Sequence, residues 1–569
     1  MKSNRLDAAA LSKYQGDAQR SVAWPLAASL SVVLAATGLA AAFTFLYAVS
    51  RPSITAQSWD SLHFGYAAEA EGWRGLASNH PLGHAIYRVA LTLARSAGYT
   101  GRALPLFQGL NTLVGGLNVA GVWLLCYARL RTSVWTALGV AVIFGSCAAV
   151  WYYAGTAEIY TMALLLAIAS WGSLLHNARS DVGDSLWFAG VLVGFAVLTH
   201  QLNLLLVPVA LVLLLAPPQP RHLVRKLVTF SSAVGIVTII GYGILGHLAT
   251  GSTSLRVLAT WPRGYLGEPL YGGYLRLRNL PMIWWNARAA IVHSEATSGM
   301  NRLRGMLVVA VCGVTVYGLL SYRRLGPCHR AVLGAAVLDG LSAFLLVCWW
   351  EPFTQKYWLF VLLPWIIALA CLRSARIDTL GSWWAQRIPA GTYDCFAPLL
   401  GCCLLLFNLR CMLRYEDRPD PVRERAVAQW LEHSRPTDVL IPPTELVPFL
   451  RYWEDRPNTL LVFTCLWYSS AGDTFGTLSQ TIAAAFARGA AVLYAPASID
   501  DVRDDQLPIL RLSRDALGRF FAHYSQRLAF SVVPAADRQP APTFFLSPPD
   551  DNGSNVDTRT RRSDRQGPC

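Results

Sequence analysis

Residues 186–216 read LWFAGVLVGFAVLTHQLNLLLVPVALVLLLA, and the fold class turns on how this stretch is divided. A helix crosses ~30 Å of hydrocarbon with about 20 apolar residues. The run is too long for one such helix, and Thr199, His200 and Gln201 interrupt it with polar groups. It reads as two spans, 186–199 and 202–216, joined by a polar turn. Working outward, apolar runs near 22–49, 103–127, 133–153, 158–176, 227–249, 305–321, 331–350, 357–373 and 394–413 bring the expected number of transmembrane helices to about eleven.

Composition agrees. The 569 residues are 54% hydrophobic and only 14% charged, with mean hydropathy +0.36, which describes an α-helical polytopic membrane protein. The net charge of +14 raises the question of nucleic acid. Most basic clusters lie between apolar runs, where they act as orientation signals, so no nucleic-acid partner is expected. The 12 cysteines include no C-x-x-C pair, and most sit inside apolar runs, where Cys behaves as a small hydrophobe. Neither a disulfide framework nor a zinc site is read from them.

Loop charges set the orientation. Residues 1–22 carry Lys2, Arg5, Lys13 and Arg20, so this segment is expected in the cytoplasm. The apolar run that follows far exceeds the ~7–15 residues of a secretory signal core and reads as an uncleaved anchor. Arg129 and Arg131, Arg179, Arg221 to Lys226, Arg323 to Arg330, and Arg373 to Arg387 mark the cytoplasmic loops. The other loops hold Asp60, Glu158, His200, the segment 250–304, and Glu351 to Lys356. All the unusual polar groups thereby gather on one outer face of the plasma membrane. The domain reading is a cytoplasmic segment 1–22, a membrane domain 23–414 with outer loops 50–102 and 250–304, an outer domain 415–545, and a disordered tail 546–569. In 415–545 the apolar runs shorten to strand length at 438–441, 459–463 and 490–494, with a helical pattern at 478–488. That alternation predicts a small α/β domain. It lacks a Gly-rich phosphate loop.

The densest polar stretch is SWDSLHFGYAAEAEGWRGLASNHPLGHAIY, residues 58–87. Ionisable groups packed against a span are expensive and point to a site. Asp60 reads either as a helix cap or as a general base that takes a proton from an attacking hydroxyl. His63 lies one helical turn on and is placed to orient it. Glu69 and Glu71 follow, then the turn Asn79-His80-Pro81. Metal binding by Asp60, His63, His80 and His84 has no recognised ligand signature. Glu158 opens a span, where the helix dipole favours an acid in any case. His200 marks the turn between two spans. Lys356, in WWEPFTQKYWLF beside Glu351, is the only lysine on the outer side. It reads either as an interface anchor within an aromatic belt or as an ammonium for a phosphate oxygen. In 250–304, Arg256, Arg263, Arg276, Arg278 and Arg288 alternate with Trp and Tyr. That pattern suits lipid phosphate or sugar contact and equally an interfacial helix.

Three patches in order carry a family resemblance: TAQSWDSLHFGYAAEAEGWRGLASNHPLGHAIYRVA from residue 55, WYYAGTAEIYTMALLL from 151, and GVLVGFAVLTHQLNLLLVPVALVLLL from 190. Together they resemble the protein O-mannosyltransferase-like membrane glycosyltransferases, the uncharacterised-domain group 2723. That group has an Asp-Ser pair, an alanine-rich helix, a His-Pro-Pro-Gly-Tyr turn and an Ala-Glu-Val-Tyr segment. It is similar to the wider GT-C class of polyprenyl-phosphate-sugar-dependent transferases. The resemblance implies a GT-C-like fold and makes Asp60 the catalytic base. Relatives carry a second acid where His63 stands, and Leu82 and His84 replace their Pro and Tyr.

The function expected is transfer of a sugar from a polyprenyl-phosphate donor to a hydroxyl of a protein or glycan, with inversion. Asp60 and His63 are the catalytic candidates. His80, Glu158, His200, Arg263, Glu351 and Lys356 are the substrate-binding candidates. The partners are the lipid-linked sugar, the acceptor and the bilayer, and no organic cofactor is needed. A flippase for the same lipid would show polar groups near mid-membrane and internal repeats. A non-catalytic assembly protein whose outer domain binds glycan is the third reading.

Overall fold

A computed structural model describes residues 26–52, 59–179, 186–215, 223–263, 274–293, 327–374 apart from 353, 390–415, 421–467, 475–500, 512–532 and 541–548. The chain divides into two compact units. One comprises Met1–Ile54, Glu71–Leu266 and Gly272–Glu416, the other Thr55–Ala70, Gly267–Tyr271 and Asp417–Cys569.

The first unit is helical. After α1 (Leu26–Val49) the chain passes through α2 (Trp59–Tyr66), which belongs to the second unit. It then continues as α3 (Pro81–Ser96), α4 (Ala103–Leu124), α5 (Val134–Ser146), α6 (Ala148–Gly155), α7 (Tyr160–Arg179), α8 (Leu186–Thr199), α9 (Leu206–Leu215), α10 (Leu223–Thr250), α11 (Leu255–Thr260), α12 (Leu280–Ile291), α13 (Pro327–Trp350), α14 (Leu359–Ser374) and α15 (Ala390–Tyr415). Four described stretches are long and apolar enough to cross a membrane: Leu30–Val49, Ala103–Arg129, Leu223–Thr250 and His329–Trp350. The expected span 305–321 lies outside the described residues. The run 186–216 divides as its polar interruption requires, with a single turn of 3-10 helix, Gln201–Leu205, between α8 and α9. Gly190 and Gly194 let α8 close on α10. A Cβ at Gly190 would stand 2.6 Å from the Phe230 carbonyl oxygen, and one at Gly194 would stand 2.8 Å from Val237. Close backbone approach of this kind drives packing where lipid is as apolar as the side chains.

The run 133–153 is two helices, not one straight span. α5 and α6 meet at 63°, because Cys147 takes an extended conformation (φ −59°, ψ 133°). The Asn408 amide of α15 donates to Ser146 O at 2.6 Å and to Ile291 O at 2.9 Å, while its oxygen accepts from His293 N at 3.1 Å. Residues 156–159, between α6 and α7, are non-helical and buried, with Thr156, Ala157 and Ile159 fully enclosed. Backbone carbonyls in such a place need donors, and α4 supplies them from one face. Gln108 donates to Pro52 O at 2.8 Å and Gly155 O at 2.7 Å. Asn111 donates to Thr156 O at 2.7 Å and also to Glu158 O. Asn118 donates to Thr161 O at 2.9 Å.

The second unit holds α2 together with α16 (Pro421–Glu432), α17 (Val447–Tyr452), α18 (Val462–Trp467), α19 (Gly476–Ala487), a short helix α20 (Ala497–Asp500), α21 (Arg514–Ala522) and a four-stranded sheet. The strands β1 (Val439–Ile441), β2 (Val492–Tyr494), β3 (Ser525–Val532) and β4 (Ala541–Ser547) lie in the order β1-β2-β4-β3. β1 and β2 are parallel, and the other pairings are antiparallel. Asp438 accepts from Arg435 N at 2.7 Å and Ala491 N at 2.9 Å, which aligns the starts of β1 and β2. Alternation along the strands feeds two cores. Val439, Ile441, Val492 and Tyr494 face Ile482 and Phe521 on one side, and Leu440 and Leu493 face Trp430 and Leu450 on the other. The run 459–463, expected as a strand, makes only a bridge from Thr459 to Leu440. It then turns into α18, because Val462 and Leu466 gain more by burying one helix face in the core than by extending an edge.

Replacing Asn111 by Leu leaves the Thr156 and Glu158 carbonyls without that donor. With about 1–3 kcal/mol lost per buried unpaired group, the variant should unfold at a clearly lower temperature in detergent. Leu117→Ala, on an exposed part of the same helix, should shift the midpoint little, since such substitutions stay within about 0.5 kcal/mol.

Candidate functional site

Three interruptions in the helical unit bring polar side chains together. The first is the turn before α3, where His80 is the N-cap residue and Pro81 starts the helix. Proline is pre-shaped for that position. The second is His200, extended (φ −158°, ψ 123°) between α8 and its following 3-10 turn. The third is a 3-10 turn Gln355–Trp358 that leads into α14. Gln201 ties neighbouring segments to this region, with its amide donating to Tyr242 Oη at 3.1 Å, Pro262 O at 3.2 Å and Ser78 O at 3.4 Å.

The His80 and His200 rings lie 4.4 Å apart between centroids. Tyr160, the first residue of α7, stands 5.7 Å from His80 and 5.1 Å from His200. Phe360 lies 4.7 Å and Tyr357 6.1 Å from His200. The Lys356 ammonium sits 5.5 Å from the Tyr160 ring centroid and 5.3 Å from that of Tyr357, a cation held over π faces.

Hydrogen bonds assign the imidazole protons. The Asn79 amide nitrogen donates to His80 Nε2 at 2.9 Å, so the proton of neutral His80 is on Nδ1. Leu202 N–H donates to His200 Nδ1 at 3.1 Å, so the proton of neutral His200 is on Nε2. Both protonated nitrogens are buried, and neither has a hydrogen-bond partner among the described residues. Burial holds the His80 pKa well below its usual value, and the charges of His200, His84 and Lys356 add to this, while hydrogen bonding with the Asn79 backbone acts in the opposite direction. Burial, then Lys356, pushes His200 down to about 3. Both rings are neutral near pH 7. The cluster offers two N–H donors and an ammonium, the equipment for an anion.

Of the residues singled out in the sequence, His80, His200 and Lys356 come together here. Glu158 is 1% exposed, two residues before Tyr160. Glu351 follows the end of α13, and its carboxylate accepts from the Thr354 hydroxyl. Arg263 ends the 3-10 turn Trp261–Arg263. Asp60 and His63 lie on α2, in the other unit, and both are half-buried. Glu69 accepts from Tyr452 Oη at 3.4 Å, and Glu71 is exposed. Sequence reasoning missed Asn79, Tyr160 and Phe360 as members of the cluster. Tyr160 does stand in the Ala-Glu-Ile-Tyr segment, but nothing in its spacing pairs it with His200. Among the described residues no group of three or more His, Cys, Asp or Glu is placed to hold a metal ion.

No family model and no curated protein matches the chain. Among solved structures it resembles ArnT from Cupriavidus metallidurans bound to undecaprenyl phosphate, with TM-score 0.51 and 14% identity over 90% of this chain and 97% of that one. It also resembles the arabinofuranosyltransferase AftD from Mycobacteria, with TM-score 0.48 and 15% identity over 91% of this chain and 42% of that one. The second likeness is too loose to carry weight. The first shows a shared fold, that of ArnT, and the four long apolar helices agree with a chain that crosses a membrane.

Because the folded state keeps these rings neutral while the unfolded chain takes up protons below about pH 6.5, stability should fall as pH drops below that value. Each histidine contributes at most ~1.4 kcal/mol per pH unit. A thermal midpoint measured in detergent should decline from pH 7 to pH 5. The double substitution His80→Gln with His200→Gln should flatten that decline.

Proposed function

We propose that the protein transfers a sugar from a polyprenyl-phosphate carrier to an acceptor hydroxyl, and that His80, His200 and Lys356 receive the phosphate. The observation that carries this reading is the pair of buried, neutral imidazoles with unpartnered N–H groups beside the Lys356 ammonium. Groups aimed at developing negative charge in a dry environment are the commonest large source of rate acceleration. A phosphate leaving group suits them, since it departs as an anion and needs little protonation. The fold shared with a protein crystallised with undecaprenyl phosphate supports a lipid-linked donor.

In this reading Asp60 accepts the proton of the acceptor hydroxyl. The oxygen attacks the anomeric carbon as that carbon acquires oxocarbenium character. The bond to the phosphate oxygen breaks with its electron pair passing to the carrier, and configuration inverts. His63, one turn from Asp60, orients it. The reading includes a multi-pass arrangement in the plasma membrane with residues 1–22 cytoplasmic and the sheet-bearing unit outside. The O-mannosyltransferase-like resemblance is the basis for a hexose donor.

Single-turnover transfer from a radiolabelled prenyl-phosphate sugar, in nanodiscs, tests the proposal. Asp60→Asn keeps the shape and most of the capping capacity but cannot take the proton, so turnover should drop by about 10²–10⁴ with insertion and melting unchanged. Normal turnover would remove Asp60 from the role and move the search to Glu69, Glu71 and Glu158.

Lys356→Met keeps the length of the stem and loses the charge. It should raise donor KM or lower kcat by roughly tenfold or more, in line with the loss of ~1.5–3 kcal/mol for a hydrogen bond to a charged group. An interface anchor would tolerate the change without effect on donor kinetics.

A further inference from the structure

The chemistry proposed above gives the sheet itself no task. Three observations give it one. The helix that carries Asp60 and His63, α2, belongs to that unit, although nearly four hundred residues separate it from the sheet. It packs on α17, and the contact is close at one point. A Cβ built on Gly65 would stand 2.8 Å from Tyr452 Cε2 and 3.1 Å from Cζ, so only glycine admits the ring there. The Tyr452 hydroxyl also reaches Glu69 Oε1 at 3.4 Å, in the turn that follows α2.

Tyr452 is itself held. It is fully buried, and its ring meets Trp453 edge-on at 4.7 Å between centroids. The helix α17 is tied to the sheet. Leu450 packs in the core with Leu440 and Leu493, and Arg451 Nε donates to Thr459 O at 2.7 Å, beside β1. By contrast, α2 has eight residues, too few to be stable alone in water. Its position is therefore set by what it packs against.

We infer that Tyr452 is a positioning residue: through Gly65 and Glu69 it transmits the rigidity of the sheet to α2 and so sets where Asp60 stands. The inference rests on the assignment of Asp60 as proton acceptor. Gly65 lies five residues beyond Asp60, about 7.5 Å along the helix, so a tilt at the glycine moves the carboxylate. A displacement near 1 Å costs roughly 10²-fold in rate.

The test uses the full chain in nanodiscs, with single-turnover kinetics and hydrogen exchange read together. Tyr452→Ala should lower kcat by about 10–10²-fold with donor KM unchanged, and exchange across 59–70 should quicken while β1 and β2 keep their protection. Tyr452→Phe, which retains the ring, should recover most of the rate. Gly65→Val leaves Tyr452 in place and should reproduce the Tyr452→Ala pattern, and this variant decides the matter should Tyr452→Ala disturb the sheet. Normal kcat in Gly65→Val, or a lost rate with no change of exchange in 59–70, overturns the inference. Failure of the underlying assignment looks different: Asp60→Asn would then turn over normally, and exchange in 59–70 would alone decide whether Tyr452 holds α2.

Discussion

The helical unit depends on keeping a stretch of broken backbone satisfied where water is scarce. Between α6 and α7 the chain abandons helical geometry for residues that are almost completely buried. Each carbonyl there would cost about 1–3 kcal/mol if left bare. Gln108, Asn111 and Asn118 on α4 meet that need with side-chain amides, and Asn408 does the same at the α5–α6 bend. Because each amide reaches a particular carbonyl, the register of α7 relative to α4 is set. Tyr160 thereby arrives beside His80 and His200.

The same scarcity of water shapes the candidate site. Two imidazoles 4.4 Å apart and a nearby ammonium repel one another if all are charged, and burial adds to the cost of charging the rings. The rings therefore stay neutral, and their tautomers are dictated by Asn79 and by the Leu202 amide. The two ring N–H groups are left over as donors, beside one unpaired acceptor, Asn79 Oδ1. An arrangement of this kind is poor for a cation and suited to an anion, whose binding would relieve the unpaired N–H groups and the crowding of positive charge together.

The second unit obeys a different economy. Its sheet is small, and β1 and β2 have three residues each, so helices on both faces carry most of the burial. A further helix of the unit, α2, is borrowed from a distant part of the chain and packs on α17. A loop that belongs to a folded unit does not wander as a surface loop does, which matters for a carboxylate expected to stand within hydrogen-bond reach of a reacting hydroxyl.

The sequence by itself determined the membrane class, the division of 186–216 at His200, the four long apolar helices Leu30–Val49, Ala103–Arg129, Leu223–Thr250 and His329–Trp350, and β1 and β2. Each of these follows from length, hydropathy or local polarity, which are one-dimensional quantities. It also marked His80, His200 and Lys356, because ionisable groups in an apolar chain stand out. The tertiary structure alone decided that these three meet, that Tyr160 and Phe360 complete the cluster, that 133–153 bends, and that Thr459 forms a bridge where a strand was expected. It alone placed Asp60 with the sheet. The pairing of Gly65 with Tyr452 and the reach of Asn111 to Thr156 are contacts between residues far apart in the chain. Such contacts arise from the packing of whole elements, and no local pattern of residues encodes them.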